Sequence, residues 1–203
     1  MKLFYAAGSP YARIVRVALR EIQIDAPVEE IEVTLRDPKS ALLPYNPGGK
    51  VPTLELDDRT ILNESLLVLL YLDTRHSGRK LLPMDGSDGW NTLSRVGAAI
   101  AFLDGISVWN RELRFGLKAP GVIAAETARA NRAADALEQQ VASGGFSGHL
   151  DACQIVLGAA LENAARRHKV WDWRTERPHL SGFLDTIAKR GSFTATLQPE
   201  INL

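Results

Sequence analysis

Residues 46–54 read NPGGKVPTL, a turn-rich loop that runs directly into a short apolar strand. Pro is tolerated as the first residue of a strand, and an X-Pro bond adopts the cis form far more readily than other peptide bonds. A cis bond between Val51 and Pro52 would turn the amide and carbonyl of Val51 outward, where they could pair with an extended peptide. An ordinary loop-to-strand turn is the alternative interpretation.

Upstream of this loop, the pattern predicts strands at 2–6 and 28–34, with a helix between them that begins at Ser9-Pro10. Ser is a favoured helix N-cap, and Pro suits the first helical position. The Ser9 hydroxyl and the N–H groups of the helix start would favour a negatively charged sulfur or oxygen. A plain helix start is the alternative.

Downstream, strands are predicted at 53–56 and 60–62, followed by a helix at 64–76 that opens with Glu64-Ser65. The Ser65 hydroxyl, the nearby N–H groups and the helix dipole together suit a carboxylate. Glu64 can accept a hydrogen bond from an ammonium group. This corner can therefore hold both charges of an α-amino acid, although a capped helix with an acidic first turn is the alternative.

The order of these elements is β-α-β, loop, β-β-α, which predicts a four-stranded mixed sheet with helices on its faces. This is a thioredoxin-like domain, assigned to residues 1–76. Residues 77–89 are rich in Gly and turn formers and are interpreted as a linker. Residues 90–203 are interpreted as an all-helical second domain. Its predicted helices lie at 90–116, 122–142, 150–168 and 179–190.

Taken together and in this order, the motifs resemble the glutathione transferase family, and the resemblance extends over essentially the whole chain. That family carries a Ser, Tyr or Cys after the first strand, matched here by Ser9. It then has a cis Val-Pro, matched by Val51-Pro52, and a Glu/Gln-Ser pair opening the third helix, matched by Glu64-Ser65. The resemblance implies a serine-type, prokaryotic-like member with an α/β thioredoxin-like N-terminal domain and an all-α C-terminal domain.

The resemblance also implies that glutathione is the co-substrate and lies extended across the first domain. Val51 would pair with its cysteinyl backbone, Glu64 and Ser65 would hold its γ-glutamyl end, and Lys50 or Lys39 would meet its glycyl carboxylate. The residues expected to bind glutathione are Lys50, Val51, Pro52, Glu64 and Ser65. Ser9 is the expected catalytic residue, and it would donate a hydrogen bond to the sulfur.

The implied reaction is attack of the glutathione thiolate on an electrophilic, mostly apolar second substrate. A free thiol has a pKa of about 8.5, so Ser9 and the helix start would have to favour its charged form. Isomerisation and dehalogenation use the same first-domain site, so they stay open. So does a binding or regulatory module of the same fold with little turnover.

A second-substrate pocket is expected to include Tyr11, Phe102, Trp109 and Arg111, with Asn110 and Arg114 as further candidates. The alternative is that these aromatics belong to the core and that the arginines are solvated. Relatives that dimerise suggest a homodimer. Asp104 is then a candidate to reach the glutathione of the partner.

Composition narrows the function classes. The chain has 24 Lys+Arg and 24 Asp+Glu, a balance that does not indicate a nucleic-acid or anionic-membrane partner. The one cysteine, Cys153, fits a reducing compartment and disfavours thiol–disulfide exchange. No signal peptide or membrane-spanning run is recognised and the histidines show no metal spacing, so we expect a cytoplasmic protein without a metal.

Overall fold

The computed structural model describes residues 1–84 and 86–201, the side chains of 86–88 excepted. Its contacts divide the chain into two compact units. Unit 1 contains residues 1–82 together with 192–198, and unit 2 contains residues 83–191 and the chain from Pro199 onward.

Unit 1 is built on a mixed sheet flanked by helices. Its strands are β1 (Lys2–Tyr5), β2 (Glu29–Glu32), β3 (Thr53–Glu55) and β4 (Ile61–Asn63), and its helices are α1 (Pro10–Glu21) and α2 (Ser65–Asp73). The sheet order is β2-β1-β3-β4, with β1 parallel to β2 and antiparallel to β3, and with β3 antiparallel to β4. The predicted four-stranded sheet is therefore confirmed, with strand ends within one or two residues of the predicted bounds.

The core of unit 1 follows the alternation of its strands. Side chains at successive strand positions point to opposite faces of a sheet. Leu3 accordingly joins one buried cluster, with Val15 and Leu54, whereas Phe4 joins another, with Leu42. Both faces of the sheet are therefore covered, and this fixes the register that positions the candidate site.

Unit 2 is helical among its described residues. Its helices are α3 (Gly86–Phe115), α4 (Pro120–Ala142), α5 (Ala152–Arg167) and α6 (Pro178–Ile187). Helix α5 is buried along most of its length, as its sequence predicts. None of the helices in the described ranges is long and apolar enough to cross a membrane.

The bounds of the helices in unit 2 differ from the prediction by up to four residues, and two of the starts have a local cause. Helix α3 begins at Gly86 rather than Trp90, inside the segment interpreted as a linker, because turn-forming residues are also tolerated in the first turn of a helix. Helix α5 is capped by Asp151, whose side chain accepts from the Gln154 N–H while the Gln154 side chain accepts from the Asp151 N–H. It therefore begins at Ala152, later than predicted.

A further difference concerns residues near the end of the chain. Residues 192–198, assigned by prediction to the second domain, lie with unit 1 and include most of the short helix α7 (Gly191–Thr194). The Arg13 guanidinium donates to the Phe193 carbonyl at 3.1 Å, and the Gln198 amide donates to the Gly8 carbonyl at 3.0 Å. These contacts join residues about 180 positions apart, so no local pattern could predict them.

Candidate functional site

Three segments of unit 1 end at the same edge of its sheet. Phe4 pairs with Thr53 and Thr53 pairs with Asn63, so the end of β1, the start of β3 and the end of β4 are adjacent. Ser9 follows β1, Val51-Pro52 precedes β3, and Glu64-Ser65 follows β4. The strand register thus brings together the three motifs that the sequence singled out.

Ser9 begins the first of these segments as the N-cap of α1. Its Oγ accepts a hydrogen bond from the Ala12 N–H at 3.2 Å, so the helix-start interpretation is correct. A hydroxyl that accepts one hydrogen bond still has its own hydrogen to donate. Capping the helix therefore leaves Ser9 able to donate to a group beyond the N-terminus of α1.

The Val51–Pro52 peptide bond is cis. The Val51 side chain is buried in the cluster that contains Phe4 and Leu42, which directs it into unit 1. Lys50 is exposed, as is Lys39, the other lysine considered for the glycyl carboxylate.

Glu64 and Ser65 occupy an unusual helix start. Glu64 is exposed and has φ 73° and ψ 131°, a conformation that non-Gly residues rarely adopt. It makes no side-chain cap on α2. The first N–H groups of a helix have no intrahelical acceptor, so this N-terminus suits a bound carboxylate. Backbone strain of this kind tends to persist at functional sites.

The Ser65 hydroxyl has a protein partner in this structure. Ser65 is 4% exposed, and its Oγ donates to the Tyr11 carbonyl at 3.0 Å. This contact ties the start of α2 to the first turn of α1. The hydroxyl would have to change its acceptor in order to donate to a ligand, whereas the backbone N–H would not.

Polar side chains behind this edge were missed by the sequence analysis. Asn46, Thr53 and Asn63 form a hydrogen-bonded cluster next to the cis bond and Glu64. The available signal was their position, since Asn46 is the first residue of the loop that leads to Val51-Pro52 and Asn63 stands immediately before Glu64.

Two of the candidates for the second-substrate pocket are core residues of unit 2. Phe102 is 1% exposed and contacts Trp171 edge-on, with ring centroids 5.9 Å apart. Trp109 is 6% exposed and packs against His168 at 4.2 Å. These positions favour the alternative of core aromatics, whereas Tyr11 is half-buried and Arg111 is exposed.

Cys153 is buried, and this burial, with a hydrogen bond to Asp151, raises the pKa of its thiol to about 12. Such a thiol is protonated at neutral pH and is a poor nucleophile. In the described part of the chain, no group of three His, Cys, Asp or Glu residues is placed to hold a metal ion.

Both units contain segments that match domains of a known protein family. Residues 3–80 match the glutathione S-transferase N-terminal domain, and residues 120–186 match the glutathione S-transferase C-terminal domain. The pyrimidodiazepine synthase of Drosophila melanogaster is 38% identical over 88 residues, which is 42% of this chain but only 35% of the synthase. The uncharacterized GST-like protein YibF of Escherichia coli K12 is 23% identical over 98% of this chain and 100% of its own.

Solved structures extend the likeness over both units. A glutathione transferase family member from Pseudomonas fluorescens Pf-5 with bound glutathione has a TM-score of 0.89 and 31% identity, covering 98% of this chain and 99% of its own. A Pf-5 family member with bound S-(propanoic acid)-glutathione gives a TM-score of 0.87 and 30% identity, covering 98% and 100%. Together with the two matching domains, this shows that the chain belongs to the glutathione transferase family.

Proposed function

We propose that this protein binds glutathione at the sheet edge of unit 1 and presents it as a thiolate to an electrophilic, mostly apolar second substrate. The observation that carries the proposal is the convergence of Ser9, the cis Val51–Pro52 bond and the α2 N-terminus at that edge. The glutathione bound by structural relatives supports the choice of ligand.

Each end of the tripeptide would meet a different part of the edge. The γ-glutamyl carboxylate would lie at the N–H groups that start α2, and its ammonium would pair with Glu64. The cysteinyl backbone would pair with the main chain of Val51, next to Pro52. The exposed Lys50 would meet the glycyl carboxylate.

Ser9 would act on the sulfur. Its hydroxyl would donate a hydrogen bond to the thiolate, and the positive end of α1 would add to that preference. Lowering the thiol pKa by about one to two units corresponds to roughly 1.4–2.7 kcal/mol in favour of the charged form. The thiolate would then form a sulfur–carbon bond with the electrophile, and the leaving group on that carbon, such as a halide, would depart with the electron pair of the broken bond. In this serine-type arrangement the nucleophile is the glutathione sulfur, and Ser9 only donates a hydrogen bond to it.

The homodimer and the cytoplasmic location implied by the family resemblance belong to the same proposal, as does the use of glutathione without a metal. A binding or regulatory module with little turnover is the alternative function, because Ser9 caps α1 whether or not it meets a thiol.

The test is calorimetric titration of glutathione into the wild type and into Glu64→Ala/Ser65→Ala. The variant removes the charged partner of the ammonium group and the hydroxyl that ties the start of α2 to α1. It should weaken binding by about 100-fold, since hydrogen bonds to charged groups are worth roughly 1.5–3 kcal/mol each. Glu176→Ala/Ser181→Ala, which removes the same residue types from unit 2, is the matched control and should bind normally. A wild type that does not bind glutathione would refute the proposal.

Turnover separates the enzyme from the module. Conjugation of glutathione to a reactive aryl halide that slows in Ser9→Ala supports the enzyme. Saturable binding with the thiol still protonated, and no turnover across a panel of electrophiles, supports the module.

A further inference from the structure

Asn46 lies at the centre of a buried hydrogen-bond cluster behind the candidate site. Its Nδ2 is 3.0 Å from the Lys50 carbonyl, 3.0 Å from Thr53 Oγ1 and 2.9 Å from Asn63 Oδ1. Asn46 is 8% exposed and Thr53 is 0% exposed. Low exposure keeps water from replacing these bonds, so losing one of them would leave a buried polar group unsatisfied.

The donors and acceptors in the cluster match closely. The two hydrogens on Asn46 Nδ2 face three acceptors, while Asn46 Oδ1 accepts from the Gly48 N–H at 3.0 Å. The Thr53 hydroxyl has acceptors in the Lys50 carbonyl at 2.9 Å and in Asn63 Oδ1 at 3.0 Å. The Asn46 amide supplies both functions, since its Nδ2 donates toward Asn63 and its Oδ1 accepts from Gly48, and an alanine at position 46 would supply neither.

The cluster joins two segments that the backbone ladder holds only weakly. Strands β3 and β4 have three residues each, and their pairing reaches Thr53↔Asn63 at the edge. Lys50 is adjacent to Val51, and Asn63 is adjacent to Glu64. Asn46 is thus hydrogen-bonded next to both halves of the candidate glutathione site.

The backbone conformation of Glu64 requires stabilisation by neighbouring residues. Its φ of 73° is unfavourable for a residue with a Cβ and persists only where the surroundings hold the backbone in place. The side chain of the preceding residue, Asn63, is fixed by both Asn46 and Thr53. The cluster therefore holds the entry to α2 in the orientation that exposes its N-terminus.

We propose that Asn46 is a positioning residue that sets the distance between the Val51 main chain and the Glu64–Ser65 corner, so that one glutathione spans both. Thr53 and Asn63 are its partners in this role. The inference rests on the proposed glutathione site, and none of the three side chains is required to touch the ligand.

A double-mutant cycle on glutathione affinity tests this role. Asn46→Ala should weaken binding about tenfold, since it removes hydrogen bonds that hold the site. In the Asn46→Ala background, Glu64→Ala should cost clearly less than it costs in the wild type, because Glu64 is already misplaced. A role limited to overall stability would leave the two effects multiplicative to within about twofold.

Asn131 provides the control for general destabilisation. This amide of unit 2 donates to the Thr127 carbonyl at 3.0 Å and accepts from the Trp171 indole at 3.2 Å. Asn131→Ala should lower the melting temperature, yet leave the dissociation constant for glutathione unchanged and combine multiplicatively with Glu64→Ala.

Thr53 keeps the inference testable if Asn46→Ala does not fold. Thr53→Val preserves volume and removes the hydroxyl, whereas Thr53→Ser removes a methyl group and preserves the hydroxyl. We expect binding to weaken about tenfold in Thr53→Val and by less than about twofold in Thr53→Ser.

The outcomes separate this inference from the proposed function. Normal binding by the wild type, with multiplicative Asn46 and Glu64 effects or equal effects of the two Thr53 variants, overturns the positioning role alone. No glutathione binding by the wild type overturns both. Non-multiplicative effects together with rescue by Thr53→Ser support the positioning role.

Discussion

Helices α2 in unit 1 and α6 in unit 2 both begin without a side-chain cap from their own N-cap residue, Glu64 and Arg177 respectively, but their N-termini differ. At α6, the carboxylate of Glu138 on α4 accepts from the N–H of His179 at 2.9 Å and of Leu180 at 2.7 Å. At α2, neither the N-cap residue Glu64 nor the described residues of the first turn provide an acidic side-chain cap. Unit 2 thus supplies a carboxylate to the start of α6, whereas α2 receives none from its own N-cap or first turn.

The Glu138 carboxylate shows what a helix N-terminus does to such a group. Burial by itself would raise its pKa, yet hydrogen bonds from Leu180 and His179 outweigh that effect and hold the pKa below its usual value. Because the folded-state pKa is depressed, this stabilisation is present above the pKa of an unfolded Glu and is lost as the pH falls below it. A γ-glutamyl carboxylate at α2 should be stabilised in the same way.

The largest expected effect on stability comes from His168, a buried polar side chain of unit 2 that, unlike Glu138, lacks a hydrogen-bond partner among the described residues. Neither ring nitrogen has a hydrogen-bond partner in the described part of the chain, and burial lowers the pKa of His168 to about 4. The unfolded chain takes up this proton near pH 6.5, so stability should fall as the pH drops from about 6.5 to 4. Between about pH 7.5 and 4.5 we expect a loss of about 2–3 kcal/mol from this group.

Chemical denaturation at the two pH values, compared with His168→Phe, measures this loss. Phe keeps a ring against Trp109 but cannot titrate, so the variant should lose less stability on acidification than the wild type. Equal losses in the two proteins would contradict the prediction and would mean that folding does not lower the pKa of His168.

A smaller effect on stability is expected when each of the two carboxylates, Glu138 and Glu64, is removed in turn. Glu138→Ala should lower the free energy of unfolding by about 2 kcal/mol, because two N–H groups of α6 lose their acceptor. Glu64→Ala should change it by less than about 0.5 kcal/mol, because no cap is lost. Glutathione affinity should show the reverse pattern and fall only in Glu64→Ala. Glutathione binding that weakens in Glu138→Ala would contradict the distinction between the two helices.

The smallest expected effect on stability is the loss of a helix cap, which can be compared in α1 and α5. Ser9→Ala and Asp151→Ala each remove an N-cap, from α1 and α5, and each should cost about 1 kcal/mol of stability. Only Ser9→Ala should raise the thiol pKa of bound glutathione, by about one unit, as followed by the ultraviolet absorbance of the thiolate. An unchanged thiol pKa in Ser9→Ala would reduce Ser9 to a helix cap.

Much of the fold was predictable because its signals are local. Strand alternation, the Ser9-Pro10 helix start and the turn residues around 57–59 depend on neighbours a few positions apart. The sheet order and the parallel β1–β2 pair then follow from connection rules, and the structure confirms them. Helix starts without a conventional signal, such as Gly86, were placed less accurately.

The three motifs of the candidate site were predictable from the sequence, but the hydrogen-bond partners and the burial of their side chains were not. Sequence identifies Ser9, Val51-Pro52 and Glu64-Ser65 through local chemistry and family resemblance. It could not predict that the Ser65 hydroxyl donates to the Tyr11 carbonyl, 54 residues away. Nor could helical spacing predict that Phe102 and Trp109 lie in the core of unit 2, since both faces of a helix carry the same periodicity.

The sequence by itself determined the order of elements, the helix cap at Ser9, and the residue types offered to a ligand. Those properties depend on backbone preferences and on contacts within one turn. Only the tertiary structure decided which donor meets which acceptor, as in the Asn46 cluster and in the contrast between α2 and α6. Such pairings join distant segments whose approach is set by packing of the core, so the sequence specifies them only through the complete fold.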